Sequence, residues 1–146
     1  MFAAYRNPAR TYSGLAVETS IAGARPIDLI VMLYEGANEG ILKAITHMQE
    51  RNVAAKGEAV TRVIRIIEEG LKAALDPRGG EITVQLSGLY DYMTRRLLLG
   101  SLRNDPVPLE EVRGLLQNLK GAWDELARSS RAGATAPAPT ARPLHA

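Results

Sequence analysis

Apolar residues recur at alternating steps of three and four positions in four stretches of the chain, at 26 to about 51, 53 to 74, 81 to 102 and 109 to 128. This spacing places the apolar side chains on one side of an α-helix. Residues that break helices, mainly Asp, Asn, Pro and Gly, follow the second and third stretches. Because the connections are short, consecutive helices should be antiparallel neighbours. The pattern therefore predicts an all-α fold, an antiparallel four-helix bundle.

The two ends of the chain lack this helical period. Residues 1–25 predict an arm that is extended or only briefly helical, with irregularly spaced apolar residues that include Tyr5, Tyr12, Leu15 and Val17. Pro26 then favours a helix start, because its fixed φ suits the first turn and its missing N–H needs no partner there. In residues 129–146, Ala, Gly, Thr and Pro dominate, which predicts a disordered tail. The bundle domain is therefore expected at 26–128.

The composition restricts the class of protein. A length of 146 residues fits one domain, and an aromatic content of 5% implies an aliphatic core. The formal charge is only +2 and no basic residues cluster, so we expect no nucleic-acid partner. The absence of cysteine excludes disulfides and thiolate nucleophiles and favours the cytoplasm. The longest apolar run, 29–34, is far shorter than the roughly 20 residues that cross a bilayer, so we expect no membrane insertion.

No group of residues points to catalysis, a cofactor or a metal ion. Neither His47 nor His145 has a Glu three residues before it, as the metal sites of helical bundles require. Adjacent carboxylates, such as those at 68–69 and 110–111, point in different directions on a helix. We therefore expect a protein that is not an enzyme, holds no cofactor or metal, and acts by binding another protein.

Glycines inside the predicted helices need a separate explanation, since each costs about 1 kcal/mol relative to alanine. They are Gly36, Gly40, Gly88, Gly100, Gly114 and Gly121. Close packing between helices is the favoured reason. The alternative is that these glycines leave shallow grooves that admit a helix of another protein.

The segment 89–97, Leu-Tyr-Asp-Tyr-Met-Thr-Arg-Arg-Leu, is rich in residue types that are common in protein interfaces. Tyr90 and Met93 lie on the apolar side of the predicted helix, whereas Tyr92 lies off it. Two interpretations stay open. The segment supplies two core residues beside a surface tyrosine and a solvated pair, Arg95 and Arg96, or it forms part of a binding surface.

The chain resembles the flagellin-specific export chaperones of bacteria, the FliS family. The resemblance rests on several blocks that occur in the family's order between residue 12 and about residue 126. They are Tyr12 with Val17-Glu18-Thr19, the block from Pro26 to Ala37, Gly79-Gly80-Glu81-Ile82, Leu86, the block from Leu89 to Leu97, Leu115-Leu116 and Ala122-Trp123.

This resemblance implies a cytoplasmic chaperone that binds the disordered C-terminal segment of flagellin and prevents premature polymerisation. It also implies delivery of flagellin to the type III export gate, with a gate protein as second partner, and an N-terminal arm that covers part of the client surface. The chaperone itself is expected to be a monomer or weak homodimer. We expect partner contacts from Tyr5, Tyr12, Leu15, Val17, Ile41, Tyr90, Tyr92, Met93, Arg95 and Arg96.

The chain departs from similar sequences just before the first helix. Residues 21–25 form an additional spacer, and Arg25 replaces the usual serine cap. Loss of a side-chain cap typically costs on the order of 1 kcal/mol, which predicts a first turn that frays. An alternative function with the same fold is a regulatory or structural bundle that binds another flagellar protein, such as an anti-sigma factor.

Overall fold

The computed structural model describes residues 25–133, which form a bundle of four helices. These are α1 (Pro26–Gln49), α2 (Val53–Arg65), α3 (Glu81–Arg103) and α4 (Pro106–Gly133). Helix α1 packs against α2 and α4, and α3 packs against the same two helices, so α1 and α3 face each other across the core. The predicted all-α bundle is confirmed, whereas most of the predicted arm and tail lies outside the described residues. No helix in the described part is long and apolar enough to span a membrane.

The core is aliphatic, as the composition predicted, with two buried tyrosines at its centre. Tyr34 of α1 and Tyr90 of α3 are 0% and 2% exposed. The helical period placed most core residues correctly, including Leu33, Ile41, Val63, Ile67, Met93, Leu97, Leu109, Val112 and Leu116. Ile82 is an exception, because it lies in the first turn of α3 and is 44% exposed.

A tight reversal joins α1 to α2. The backbone of Arg51 has a φ of 59°, in the left-handed region, which ends α1 two residues before the predicted boundary. The side chain of Asn52 then accepts a hydrogen bond from the backbone N–H of Ala55 at 3.1 Å, and so caps the start of α2.

Helix α2 continues as a π-helical segment, Ile66–Lys72, which the sequence did not predict. A π-helix has i→i+5 hydrogen bonds and is usually a local feature of a longer helix. In this segment, Glu68 accepts a hydrogen bond from Thr94 at 3.1 Å, and Lys72 donates one to Asp91 at 2.7 Å. Both contacts join the π-helical segment to α3.

Lys56 is a buried cation that caps the end of α3. Its ammonium donates hydrogen bonds to the carbonyl of Ser101 at 2.9 Å and to the side chain of Asn104 at 3.2 Å. The last carbonyls of a helix carry partial negative charge and lack intrahelical partners. Lys56 therefore stabilises this terminus and fixes α2 against α3. The residue is only 7% exposed.

Helix α4 is longer than predicted at both ends. It begins at Pro106 rather than about Leu109, because the residues that were interpreted as a break fit a first turn. Proline is compatible with that turn, and Asp105 accepts a hydrogen bond from the N–H of Val107 at 3.0 Å. At the other end, the helix continues beyond the predicted boundary at Arg128 to Gly133.

Arg25 closes the first turn of α1, so the predicted fraying is wrong. The Asp28 carboxylate accepts hydrogen bonds from the backbone N–H of Arg25 at 3.3 Å and from its Nε at 2.9 Å. The guanidinium also donates to the carbonyl of Ala127 at 3.1 Å and to the hydroxyl of Ser130 at 3.2 Å. Arg25 thereby joins the start of α1 to the last turns of α4, which a serine side chain is too short to do.

A Cβ at Gly36 would make only an ordinary contact, 3.6 Å from Cδ1 of Ile66, and the other five helical glycines named above divide into two groups. A Cβ at Gly40 would lie 2.6 Å from Cγ2 of Val63, and one at Gly100 would lie 2.5 Å from Cδ1 of Leu109. Close packing therefore explains these two positions. A Cβ would meet no atom of the described residues within 4 Å at the second group, Gly88, Gly114 and Gly121. These three glycines face open surface, as the alternative interpretation required.

Candidate functional site

Exposed apolar side chains are concentrated on α3. Of the seven large hydrophobic residues that are exposed in the described structure, four lie on this helix, namely Ile82, Val84, Leu98 and Leu102. Side chains of this kind lose contact with water when a partner binds, and clusters of them mark interaction surfaces. Helix α3 is therefore the first candidate for a binding surface.

Polar contacts on the two flanks of α3 fix which of its faces is outward. Asp91 and Thr94 contact the π-helical segment that follows α2. Tyr92 and Arg96 contact Glu111 of α4 on the other flank. Successive residues are rotated by about 100° around a helix. The residue three positions before Asp91 is Gly88, and the residue four positions after it is Arg95. Both therefore lie on the outer face of α3, on the flank nearer α2.

This outer face carries residues at steps of four and three positions over nearly the whole length of α3. They are Val84, Gly88, Asp91, Arg95, Leu98 and Leu102, which together are called the α3 stripe below. Val84, Leu98 and Leu102 are 70%, 49% and 85% exposed. The stripe has apolar residues at both ends and two residues of opposite charge, Asp91 and Arg95, in its middle.

Gly88 leaves a gap between the side chains in the middle of the stripe, because glycine has no side chain. No atom of the described residues lies within 4 Å of the place that a Cβ would occupy at this position. A missing side chain on an exposed helix face lets another backbone approach closely. An amphipathic helix presents apolar side chains at the same three- and four-residue steps, so the stripe matches the helix-in-groove mode of recognition.

Tyr92, Arg96 and Glu111 form a polar network that joins α3 to α4. The phenol of Tyr92 donates a hydrogen bond to one Glu111 oxygen at 2.5 Å, and Nε of Arg96 donates to the other at 2.6 Å. The hydrogen bond from Tyr92, and then that from Arg96, lower the pKa of Glu111. The hydrogen bond between Tyr92 and Glu111 is also the main cause that raises the pKa of Tyr92. Both groups therefore keep fixed ionisation states over the neutral range.

The structure separates the residues that were expected to contact a partner. Ile41, Tyr90 and Met93 are buried in the core, so a direct partner contact would require these side chains to leave it. Tyr92 and Arg96 are half-buried in the network with Glu111, on the α4 flank. Arg95 is exposed and belongs to the α3 stripe. The arm residues Tyr5, Tyr12, Leu15 and Val17 lie outside the described residues.

Sequence reasoning missed the apolar residues of the stripe. Val84, Leu98 and Leu102 lie off the core period of α3, and this mismatch was the available signal. The residue types of the segment 89–97 favoured partner contacts in the middle of the helix instead. The structure adds no metal site, since no cluster of three or more potential metal-binding side chains occurs within residues 25–133.

Comparison with known proteins gives consistent matches. A family model described as flagellar protein FliS matches residues 8–130. The chain is 48% identical to the flagellar secretion chaperone FliS of Salmonella typhimurium, over 80% of this chain and 87% of that protein. It is 39% identical to FliS of Escherichia coli, over 80% of this chain and 86% of that protein. It is 36% identical to FliSB of Pseudomonas aeruginosa, over 79% of this chain and 91% of that protein.

Proposed function

Since this chain belongs to the FliS family of flagellar secretion chaperones, we propose that its client is the disordered C-terminal segment of flagellin. Binding in the cytoplasm prevents premature polymerisation of flagellin and aids its delivery to the flagellar type III secretion apparatus. A protein of the export gate is the second partner in this proposal, and the chaperone acts as a monomer or weak homodimer. A chaperone role of this kind is non-enzymatic.

The observation that supports this proposal best is the α3 stripe. Val84, Leu98 and Leu102 expose apolar surface along one outer face of a rigid helix. A client segment that folds into an amphipathic helix covers such residues with its own apolar side. Arg95 between them offers a positive side chain, which favours a client with a negative charge at the matching position, whereas Asp91 is already paired with Lys72.

The free energy gained by burying the stripe is too small to account for useful client affinity by itself. Burial of a Val or Leu side chain contributes about 1.5–3 kcal/mol, so the three apolar residues together contribute on the order of 5 kcal/mol. Ordering a disordered segment costs about 2–5 kcal/mol or more. The stripe alone therefore only balances this cost. Useful affinity needs further contacts, as expected of a client that wraps over a long surface.

Calorimetric titration tests the identity of the client. Full-length flagellin should bind with a strongly negative heat-capacity change, because folding of the client buries apolar surface. Flagellin that lacks its C-terminal segment should show no binding. Unchanged affinity of the truncated flagellin would exclude the proposed client segment.

A matched pair of substitutions tests the surface. Leu98→Glu places a charge on the α3 stripe, whereas Leu42→Glu makes the same change on α1 at a residue of similar exposure, 45% against 49%. We expect Leu98→Glu to weaken flagellin binding at least about tenfold, which corresponds to about 1.4 kcal/mol. Leu42→Glu should leave the affinity within about twofold. Equal effects of the two variants would contradict a client surface on α3.

A further inference from the structure

The α3 stripe has a mirror symmetry of residue types along its length. Its six residues form three pairs at equal distances from position 93, namely Val84 with Leu102, Gly88 with Leu98 and Asp91 with Arg95. In these pairs an apolar side chain corresponds to an apolar side chain, the gap at a glycine corresponds to a leucine, and a negative charge corresponds to a positive charge. A surface with this symmetry is complementary to a second copy of itself in the antiparallel orientation.

The residues of the stripe are also close together around the helix. At about 100° per residue they fall within an arc of about 80°, and at about 1.5 Å per residue the stripe is about 27 Å long. It is thus a narrow, nearly straight band on the outer face of α3. When two copies meet along this band, related by a two-fold axis at the level of position 93, every residue lies opposite its counterpart. Such a contact uses the same surface of both copies.

The charged residues of the stripe select this register. Arg95 is exposed and forms no ion pair within residues 25–133. The side chain of Asp91 is 42% exposed, and its contact with Lys72 uses Oδ1 and leaves Oδ2 for a second cation. Lys72 is also 3.8 Å from Glu68, so two carboxylates share its single charge. In the antiparallel contact, Asp91 of each copy meets Arg95 of the other. An axis at the level of Asp91 or of Arg95 would instead place like charges opposite each other, which is unfavourable.

The apolar residues fit the same register. Leu98 lies opposite the gap at Gly88 of the second copy, where a Cβ would meet no atom of the described residues within 4 Å. Another chain can approach a helix closely at a glycine, so this position accepts the leucine side chain. Val84 and Leu102, 70% and 85% exposed in the single chain, cover each other at both ends of the contact. Contact along about 27 Å of two helices buries less than the roughly 1,200 Å² of a standard interface, so the dimer is weak.

We propose that two copies of this chain associate through their α3 stripes in the antiparallel orientation, with Asp91 of each copy paired to Arg95 of the other. In the absence of a client, the second copy covers the apolar residues of the stripe. The dimer contact itself is independent of the proposed function. Its role as a cover that the client displaces rests on the proposed function, because that function assigns the client to the same stripe.

Exchange of charges tests the contact by sedimentation equilibrium of the whole chain, from about 1 µM to about 1 mM. The mass of the unaltered protein should shift from that of the monomer towards that of the dimer over this range. Asp91→Arg and Arg95→Glu each place like charges opposite each other, so each variant alone should associate at least about tenfold more weakly. An equimolar mixture of the two variants restores opposite charges and should associate within about threefold of the unaltered protein. A variant that merely misfolded would not be rescued in this way.

Glu39 and Lys43 on α1 provide a matched control. They carry the same two charges at the same spacing, are largely exposed and lie outside the stripe. Glu39→Arg and Lys43→Glu should therefore leave association within about twofold. Three results would overturn the proposed contact: unaltered protein that stays monomeric at about 1 mM, a stripe variant that associates like the unaltered protein, or a mixture that associates no better than its components.

Addition of the C-terminal segment of flagellin tests the role of the dimer as a cover. At saturating client, the dissociation constant of the chaperone dimer should rise at least about tenfold, because the client and the second copy need the same surface. Sedimentation should then show one chaperone with one client. A complex that retains two chaperones in the α3 contact would overturn displacement by the client. Absence of client binding, together with rescue of association in the variant mixture, would contradict the proposed function while supporting the dimer.

Discussion

The hydroxyl groups of Tyr34 and Tyr90 lie 2.5 Å apart at the centre of the bundle and join α1 to α3 across the core. Each helix packs mainly against α2 and α4, so this hydrogen bond is a direct link between the two helices that face each other. Trp123 of α4 packs against the same core. A buried polar pair of this kind fixes the rotation of both helices, because a turned helix would leave a hydroxyl without a partner.

A double-mutant cycle measures the strength of this pair. Tyr34→Phe and Tyr90→Phe should each lower the free energy of unfolding by about 1–2 kcal/mol, since each loses a buried hydrogen bond. The double variant should cost less than the sum of the two single variants, because the second change removes a hydroxyl that has already lost this partner. Urea denaturation gives the three values. Strict additivity would show that the two hydroxyls do not interact.

The stability of the protein should fall at alkaline pH because of Tyr34. Burial is the main cause that raises the pKa of this phenol, and its hydrogen bond to Tyr90 opposes the rise only in part. Above about pH 10 the unfolded phenol ionises while the folded one stays neutral, so unfolding becomes more favourable. Tyr34→Phe should show a smaller loss of stability between about pH 9 and pH 11. An identical loss in both proteins would contradict a raised pKa.

Two alanine substitutions in α3 should have opposite effects. Gly88→Ala should stabilise the protein by up to about 1 kcal/mol, because alanine favours the helix and its Cβ meets no neighbour. Gly100→Ala should destabilise it by about 1–3 kcal/mol, since the Cβ would lie 2.5 Å from Leu109 and 2.9 Å from the carbonyl of Asp105. Thermal unfolding of both variants checks the signs. Stabilisation by Gly100→Ala would contradict the close packing of α3 against α4.

Glu111 should contribute to stability at neutral pH but not in acid. Its hydrogen bonds from Tyr92 and Arg96 lower its pKa in the folded state. The contribution is therefore present above the unfolded pKa and is lost as the pH falls through the folded pKa. Glu111→Gln should lose less stability than the unaltered protein between about pH 7 and pH 3. The neighbouring Glu110→Gln serves as control, and carboxyl NMR should show a higher pKa for Glu111 in Tyr92→Phe.

Arg25 should hold two helix ends together. Arg25→Ala removes the hydrogen bonds to Asp28, Ala127 and Ser130. Amide hydrogen exchange should become several-fold faster in the first turn of α1 and near residue 130 of α4, while the middle of the bundle stays protected. Arg128→Ala is the control, because within residues 25–133 the side chain of Arg128 bonds only to Glu125 of the same helix. Unchanged exchange at the start of α1 would show that Arg25 does not close this turn.

Sequence reasoning was most reliable where one local pattern decided the outcome. The three- and four-residue spacing located four helices, because burying one side of a helix is the main source of its stability. It failed at the π-helical segment Ile66–Lys72, since the apolar period of the sequence does not distinguish i→i+4 from i→i+5 hydrogen bonds. It also ended α4 early, because the contact that holds its last turns comes from Arg25, about 100 residues away.

For the candidate site, residue types were a poorer guide than position. Tyr90 and Met93 suit an interface by type, but both belong to the core, whereas Leu98 and Leu102 are exposed. Tyr92 and Arg96 meet Glu111 only because α3 and α4 pack side by side.

The sequence by itself determined the class of fold, the number of helices and the absence of cysteine, because these depend on composition and local period. Only the tertiary structure decided that Arg25 closes the first turn of α1, that Gly88 faces open surface while Gly100 is tightly packed, and that Oδ1 of Asn38 has no hydrogen-bond partner among residues 25–133. Each of these depends on atoms brought together from distant parts of the chain, which no local pattern records.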